Sequence, residues 1–106
     1  MAQLPDFPVN IVLQRGVLRI VPDVAPVSRG ARNSIVWHCV GCKAEVCFEN
    51  GSPFLSDRFE VPPGGFVGSG PALFGDCGQR FKYKVVATEI NGGRTYEIDP
   101  EVVVED

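Results

Sequence analysis

The sequence is poor in histidine, in methionine and in long apolar runs. Among its 106 residues there is one histidine, His38, and one methionine, Met1, which excludes any metal centre that requires two imidazoles. No apolar run approaches the roughly 18 to 20 residues needed to cross a bilayer. The net charge is −3 and the isoelectric point is near 5.1. A basic footprint for nucleic acid or for an anionic membrane surface is therefore not expected.

Valine is the abundant residue, with sixteen valines against five leucines. β-Branched side chains are stiff and pack well on a pleated sheet. The 12 glycines and 9 prolines divide the chain into short apolar runs about 8 to 12 residues apart, which is the spacing of a β-sandwich or barrel. A chain of this length fits one domain. We therefore predict a single all-β domain covering residues 1–106.

Apolar alternation identifies the strands. The run Phe81-Lys82-Tyr83-Lys84-Val85 predicts that the two aromatic residues and the valine face the core while both lysines face water. The predicted strands are Asn10–Leu13, Val17–Val21, Ser34–Cys39, Glu45–Glu49, Phe59–Val61, Phe66–Ser69, Arg80–Ala87, Arg94–Ile98 and Glu101–Glu105.

The segments between the strands predict turns and two long connections. Asn91-Gly92-Gly93 is typical of a hairpin turn, because Asn and Gly tolerate positive φ angles. Asp23–Asn33 is predicted to be a crossover loop between sheets. In the long segment Pro62–Gly78, Leu73 and Phe74 are expected to tuck under the loop and close one end of the sandwich. The alternative is that Phe66, Leu73 and Phe74 form an exposed apolar patch that binds a protein partner.

The order of several motifs resembles the cupredoxin family. Ser34–His38, then a hairpin, then Val46–Gly51 resembles the third and fourth strands of cupredoxins. Phe59–Gly70 is similar to a segment of small cupredoxin-like domains. Arg80–Val85 is similar to the aromatic strand that leads into the family's copper cysteine, and Ile98–Val104 resembles the last strand of copper-free members. The resemblance covers about two thirds of the chain. It implies a Greek-key β-sandwich of about eight strands in two sheets.

The copper ligands that the resemblance would imply are missing. A blue-copper centre uses two imidazoles and a thiolate, usually with a weak axial methionine. The family pattern puts the cysteine ligand near Val85 or Val86, followed by a loop with a histidine and a methionine. Here that loop, residues 87–94, contains neither of these residues and no cysteine. The blue-copper site is therefore absent, and the resemblance implies a copper-free member of the family.

The four cysteines allow several interpretations. Cys39-x-x-Cys42, with His38 beside it, has the spacing of a metal or redox site. These three residues are the candidate ligands for Cu(I) or Zn(II). Three disulfide pairings are open in an oxidising compartment. The amino terminus has no leader pattern, which fits either a cytoplasmic protein or one whose leader has been removed, and of these we expect a cytoplasmic location with reduced thiols. Cys77 is expected too far from Cys42 to complete a zinc site. The simplest alternative is that Cys39 and Cys47 are small buried side chains.

No motif in the sequence indicates catalysis. A Ser-His-Asp or Cys-His unit would have to use His38, the one histidine. We therefore predict a non-catalytic binding or accessory module without a resident cofactor, whose partner is a protein and not nucleic acid or membrane. The alternative is a dithiol protein that handles a soft metal ion or exchanges disulfides through Cys39 and Cys42.

Overall fold

The computed structural model describes residues 6–105, so residues 1–5 and 106 of the predicted domain lie outside the described residues. The described chain is all-β, as predicted, and has no helix. It therefore contains no helix that could cross a membrane. Its strands are β1 (Phe7–Gln14), β2 (Val17–Val21), β3 (Val24–Val27), β4 (Ile35–Val40), β5 (Cys42–Cys47), β6 (Arg58–Val61), β7 (Phe66–Gly68), β8 (Arg80–Lys82), β9 (Lys84–Glu89), β10 (Thr95–Ile98) and β11 (Glu101–Val104).

The strands form three sheets around one core. The first sheet has the order β2-β1-β4-β7, in which β1 and β4 are parallel and the other pairs antiparallel. The second sheet, β10-β9-β5-β6, is antiparallel throughout. The third has the order β3-β11-β8. Buried side chains from all three sheets belong to one hydrophobic cluster, which gives a β-sandwich-like architecture. The Greek-key connectivity stays a prediction.

The predicted alternation is confirmed where it was clearest. Phe81, Tyr83 and Val85 are buried, whereas Lys82 is exposed and Lys84 forms an ion pair with Glu49 at 3.1 Å. In β4, Ile35, Trp37 and Cys39 are all fully buried. Successive side chains of a strand point to opposite faces, so a period of two in the sequence was enough to predict these faces. The hairpin between β9 and β10 is also confirmed, since the two strands pair antiparallel around residues 90–94.

The described residues form eleven strands in three sheets, whereas about eight strands in two sheets were expected. The difference has two reasons. Asp23–Asn33 is not only a loop, because it contains β3, which pairs in parallel with β11 from Val24↔Glu101 to Val27↔Val104. Pro26 lies in β3, and an edge strand tolerates a proline because its outer side needs no donor. The partner strand is far away in the sequence, so a local pattern could not reveal the pairing.

The predicted strand Arg80–Ala87 is divided at Tyr83. The first part, β8, pairs with β11 in the third sheet, and the second part, β9, pairs with β5 and β10 in the second sheet. At the division the backbone N–H of Tyr83 donates to the carbonyl oxygen of Pro100 at 3.0 Å. A single segment with alternating apolar residues thus contributes strands to two sheets.

The connection between β4 and β5 is a corner and not the expected hairpin. β4 pairs with β1 and β7, whereas β5 pairs with β6 and β9, so the chain changes sheets across the single residue Gly41. Gly41 has a φ of +80°, and a Cβ atom added there would lie 2.5 Å from the backbone oxygen of Leu13. Both the turn and the close approach of β1 therefore require glycine.

Replacement of Gly41 by alanine should destabilise the protein strongly. The left-handed backbone conformation alone costs an L-residue about 1–2 kcal/mol, and the contact with Leu13 adds about 1–3 kcal/mol because a backbone oxygen cannot move aside freely. Gly70→Ala is the matched control, since Gly70 has a φ of +79° but no atom within 4 Å of an added Cβ. Urea denaturation followed by the fluorescence of Trp37 measures both variants. Equal losses would show that the close approach is unimportant.

Candidate functional site

The two cysteines of the C-x-x-C motif lie together in the core. Cys39 is near the end of β4 and Cys42 is the first residue of β5, so the corner at Gly41 brings them side by side. Both are fully buried, and the nearby Cys42 thiol contributes to the raised pKa of Cys39. The Cys42 sulfur also lies 3.8 Å from the carbonyl oxygen of Val40. The sequence prediction that these two residues form a pair agrees with this geometry.

Burial keeps both thiols protonated at neutral pH. The pKa of Cys39 is raised to about 12, mainly by burial and additionally by its interaction with the Cys42 thiol. Burial also raises the pKa of Cys42, although its interaction with Cys39 acts in the opposite direction. The thiolate is the form that attacks disulfides and binds metals. A reaction at this pair must therefore overcome both poor access and an unfavourable deprotonation.

The remaining candidate ligands are not next to this pair. His38 lies on the opposite face of β4 from Cys39, where it is half-buried between Asn10 on β1 and Phe66 on β7. Cys77 is exposed, and its sulfur lies 2.8 Å from the carbonyl oxygen of Glu105. No three His, Cys, Asp or Glu side chains among residues 6–105 are grouped so that they could hold a metal ion. The Cu(I) or Zn(II) site thus stays a prediction that depends on the two buried thiols.

Thiol reactivity should separate the cysteines by burial. In the folded protein at mildly alkaline pH, a chromogenic disulfide reagent should modify the exposed Cys77 rapidly, whereas Cys39 and Cys42 should react only when the chain unfolds. Mass spectrometry of the labelled peptides identifies the sites, and Cys77→Ser should remove the fast phase. Rapid labelling of Cys39 or Cys42 in the folded protein would contradict this expectation and favour the dithiol function.

Stability should fall in alkaline solution because two buried acids resist ionisation. The pKa of Cys39 is raised from 9.0 to about 12, and burial raises the pKa of Tyr83 from 10.0 to about 12. Above pH 9, and above pH 10 for Tyr83, the unfolded chain loses protons that the folded chain retains. The free energy of unfolding therefore falls as pH rises toward 12, by up to about 1.4 kcal/mol per pH unit for each group.

The measurement is urea denaturation at a series of alkaline pH values. The slope of stability against pH should be smaller in Cys39→Ala and in Tyr83→Phe than in the wild type, whatever the stability of each variant at pH 7. Tyr96→Phe is the control, since Tyr96 is only half-buried. Identical slopes in all four proteins would mean that other groups cause the alkaline loss.

A second cluster lies where two loops meet at the edge of the sandwich. Most residues of the segments 51–57 and 69–74 line a groove of about 700 Å³. Three large apolar side chains are exposed there: Leu55 at 82%, Phe74 at 50% and Leu73 at 37% of their surface. We call these three residues the loop surface. The polar side chains that line the groove are those of Ser52, Ser56, Asp57 and Ser69.

The backbone holds the loop surface in place. The N–H groups of Leu73 and Phe74 both donate to the carbonyl oxygen of Pro53, at 2.7 and 3.0 Å, and the N–H of Ala72 donates to the carbonyl oxygen of Asn33 at 3.1 Å. Because Ala72 is fully buried, the loop is attached to the core through its smallest apolar residue. The expectation that Leu73 and Phe74 tuck beneath the loop is therefore wrong.

The loop formed by residues 51–57 exposes Leu55 because the neighbouring side chain, that of Phe54, is buried. Phe54 packs edge-on against Trp37, with ring centroids 6.3 Å apart, and the backbone N–H of Phe54 donates to the Ser52 hydroxyl at 3.0 Å. The Ser52 hydroxyl in turn donates to the carbonyl oxygen of Ser56 at 2.9 Å. Sequence reasoning missed Leu55, since in a loop no period indicates which of two adjacent apolar residues faces the core.

Phe66, the third predicted partner-binding residue, belongs to a different surface. It is 71% exposed and faces outward from the first sheet, directly opposite His38. Ser69, on the lining of the loop groove, is three residues further along the chain, which corresponds to about 10 Å in extended backbone. The structure thus brings Leu73 and Phe74 together with Leu55 but places Phe66 elsewhere.

Comparison with known proteins gives a structural likeness at low sequence identity. No protein-family model matches the sequence, and no curated protein matches it. Among solved structures, the chain is similar to the N-terminal domain of phage TP901-1 ORF48, with a TM-score of 0.49 and 14% sequence identity over 97% of this chain and 100% of that chain. The resemblance to cupredoxins stays a prediction.

Proposed function

We propose that this protein is a non-catalytic binding module, and that the loop surface holds an apolar segment of a protein partner. The observation that carries the proposal is the exposure of Leu55, Leu73 and Phe74 around one groove. Contiguous exposed apolar side chains rimmed by polar groups are typical of protein interaction sites. The predicted cupredoxin-like character of the module, without a blue-copper centre, is part of the same proposal.

The anchoring of the loops supports binding rather than simple exposure. The carbonyl oxygen of Pro53 accepts from both Leu73 and Phe74, so the two loops are joined to each other at the site. A backbone that is already ordered loses less conformational entropy when a partner binds. The serines and Asp57 at the edge of the groove provide the polar rim that surrounds an apolar interface centre.

Site-specific photo-crosslinking in the native cell tests this proposal. A photoreactive phenylalanine analogue at position 74 should capture a discrete protein, whereas the same group at Ile90 should not. Ile90 is the control because it is 57% exposed but lies in the β9–β10 turn. The captured protein is then purified and its affinity for this module measured directly.

Substitution should weaken the measured affinity selectively. Leu73→Ser combined with Phe74→Ser should lower the affinity of the purified partner by at least about tenfold, since a central apolar contact commonly contributes more than 1 kcal/mol. Ile90→Ser should leave the affinity unchanged. The proposal fails if the double variant binds as tightly as the wild type, or if position 74 captures nothing that binds in purified form.

The dithiol function is the second candidate. The placement of Cys39 and Cys42 on either side of the corner at Gly41 favours it, because a disulfide or a two-coordinate soft metal needs both sulfurs in one place. Their complete burial and raised pKa values weigh against it. The thiol-labelling experiment described above distinguishes the two candidates.

A further inference from the structure

A second groove lies on the outer face of the second sheet, away from the loop surface. Its volume is about 500 Å³. Its apolar lining includes Val86 on β9 and the pair Pro62-Pro63, which follows β6. The proposed function uses none of these residues.

The register of the strands places two carboxylates side by side at this groove. Glu45 on β5 is directly opposite Glu60 on β6, and Val86 is the neighbour of Glu45 on its other side. Directly opposite residues have Cβ atoms about 4.5–5.5 Å apart, and like charges in this arrangement repel each other. Both glutamates are exposed and line the groove.

No cation of the described chain is paired with these two carboxylates. The ion pairs among residues 6–105 join Arg80 to Glu101 and Lys84 to Glu49. The pKa of Arg58 is raised by Cys47 and, to a smaller extent, by the charge of Glu45, but no ion pair within 4.0 Å joins Arg58 to Glu45. The groove therefore has an apolar wall and two neighbouring negative charges without a partner of their own.

Lys43 is the one cation among residues 6–105 that lines the groove, and it belongs to the next row of side chains on the outer face of the second sheet. Lys43 is two residues before Glu45 on β5 and is directly opposite Thr88 on β9. Two residues of a strand span about 6.6 Å. The groove is thus negative at the Glu45–Glu60 row and positive at the Lys43 row.

We propose that this groove binds the basic side chain, arginine or lysine, of an extended segment of another protein. The charged head meets Glu45 and Glu60, whereas the methylene stem packs on Val86 and the prolines, as long basic side chains do on apolar surfaces. Lys43 repels a second cation and so favours one direction of the segment. The two carboxylates repel an anionic segment. A purely apolar segment would bury the two carboxylates without providing a cation to pair with them, and burying an unpaired charge is costly.

A chemical-shift titration with a short peptide tests the proposal. The probe is acetyl-Gly-Arg-Gly-amide at up to tens of millimolar, and its citrulline counterpart has nearly the same shape without the charge. The arginine probe should give saturable shifts at the amides of residues 43–45, 60 and 86, and the citrulline probe should give much smaller ones. The absence of saturable shifts with arginine, or equal shifts with citrulline, would overturn the proposal.

Matched variants distinguish the groove from general electrostatic attraction. Glu45→Gln and Glu60→Gln should each weaken binding of the arginine probe by about two- to fivefold, which is the range of a single exposed ion pair. Glu97→Gln makes the same change of charge on the same face, since Glu97 is opposite Val86 on β10 and does not line the groove. It should leave binding nearly unchanged. Equal weakening by all three variants would overturn the proposal.

Stability provides an independent readout. Because Glu45 and Glu60 repel each other in the free protein, Glu60→Gln should raise the midpoint of urea denaturation. The same variant should weaken binding of the arginine probe. A variant that merely damaged the fold would lower both. A lower midpoint together with weaker binding would therefore also count against the proposal.

Discussion

The packing around Trp37 is the interaction on which the rest of this structure depends. Its ring contacts four aromatic rings, with centroids between 5.0 and 6.4 Å away. Those rings belong to Phe48, Phe54, Phe59 and Tyr83, so a side chain of the first sheet holds β6, the bend between β8 and β9, and the loop after β5. The indole N–H donates to the Tyr83 hydroxyl at 3.2 Å, which satisfies two polar groups inside the apolar core.

The loop surface follows from this core. Phe54 enters the aromatic cluster and thereby turns its neighbour Leu55 outward. On the other loop, Ala72 is buried and Pro53 accepts hydrogen bonds from the next two residues, so Leu73 and Phe74 stay at the surface. The apolar residues that are exposed here are therefore held in position by the residues that are buried, which is the arrangement expected of a rigid binding site.

The core also explains why the thiols of Cys39 and Cys42 resist ionisation. The corner at Gly41 brings Cys39 and Cys42 together, but it does so inside the packed interior, where ionisation is unfavourable. The outer faces of the two four-stranded sheets differ in character. The first exposes Phe66 beside His38, whereas the second carries rows of charged side chains, among them the opposed pair Glu45 and Glu60.

The sequence by itself determined the features that depend on near neighbours or on composition. The alternation of Phe81, Tyr83 and Val85, the hairpin at Asn91–Gly93 and the lack of a second imidazole could all be read from the chain, because strand period, turn chemistry and residue counts are local properties. Tertiary structure alone decided the pairing of β3 with β11, the corner at Gly41 and the exposure of Leu55, Leu73 and Phe74. Each of these depends on contacts between residues distant in sequence, and there the packing of the whole core outweighs local pattern.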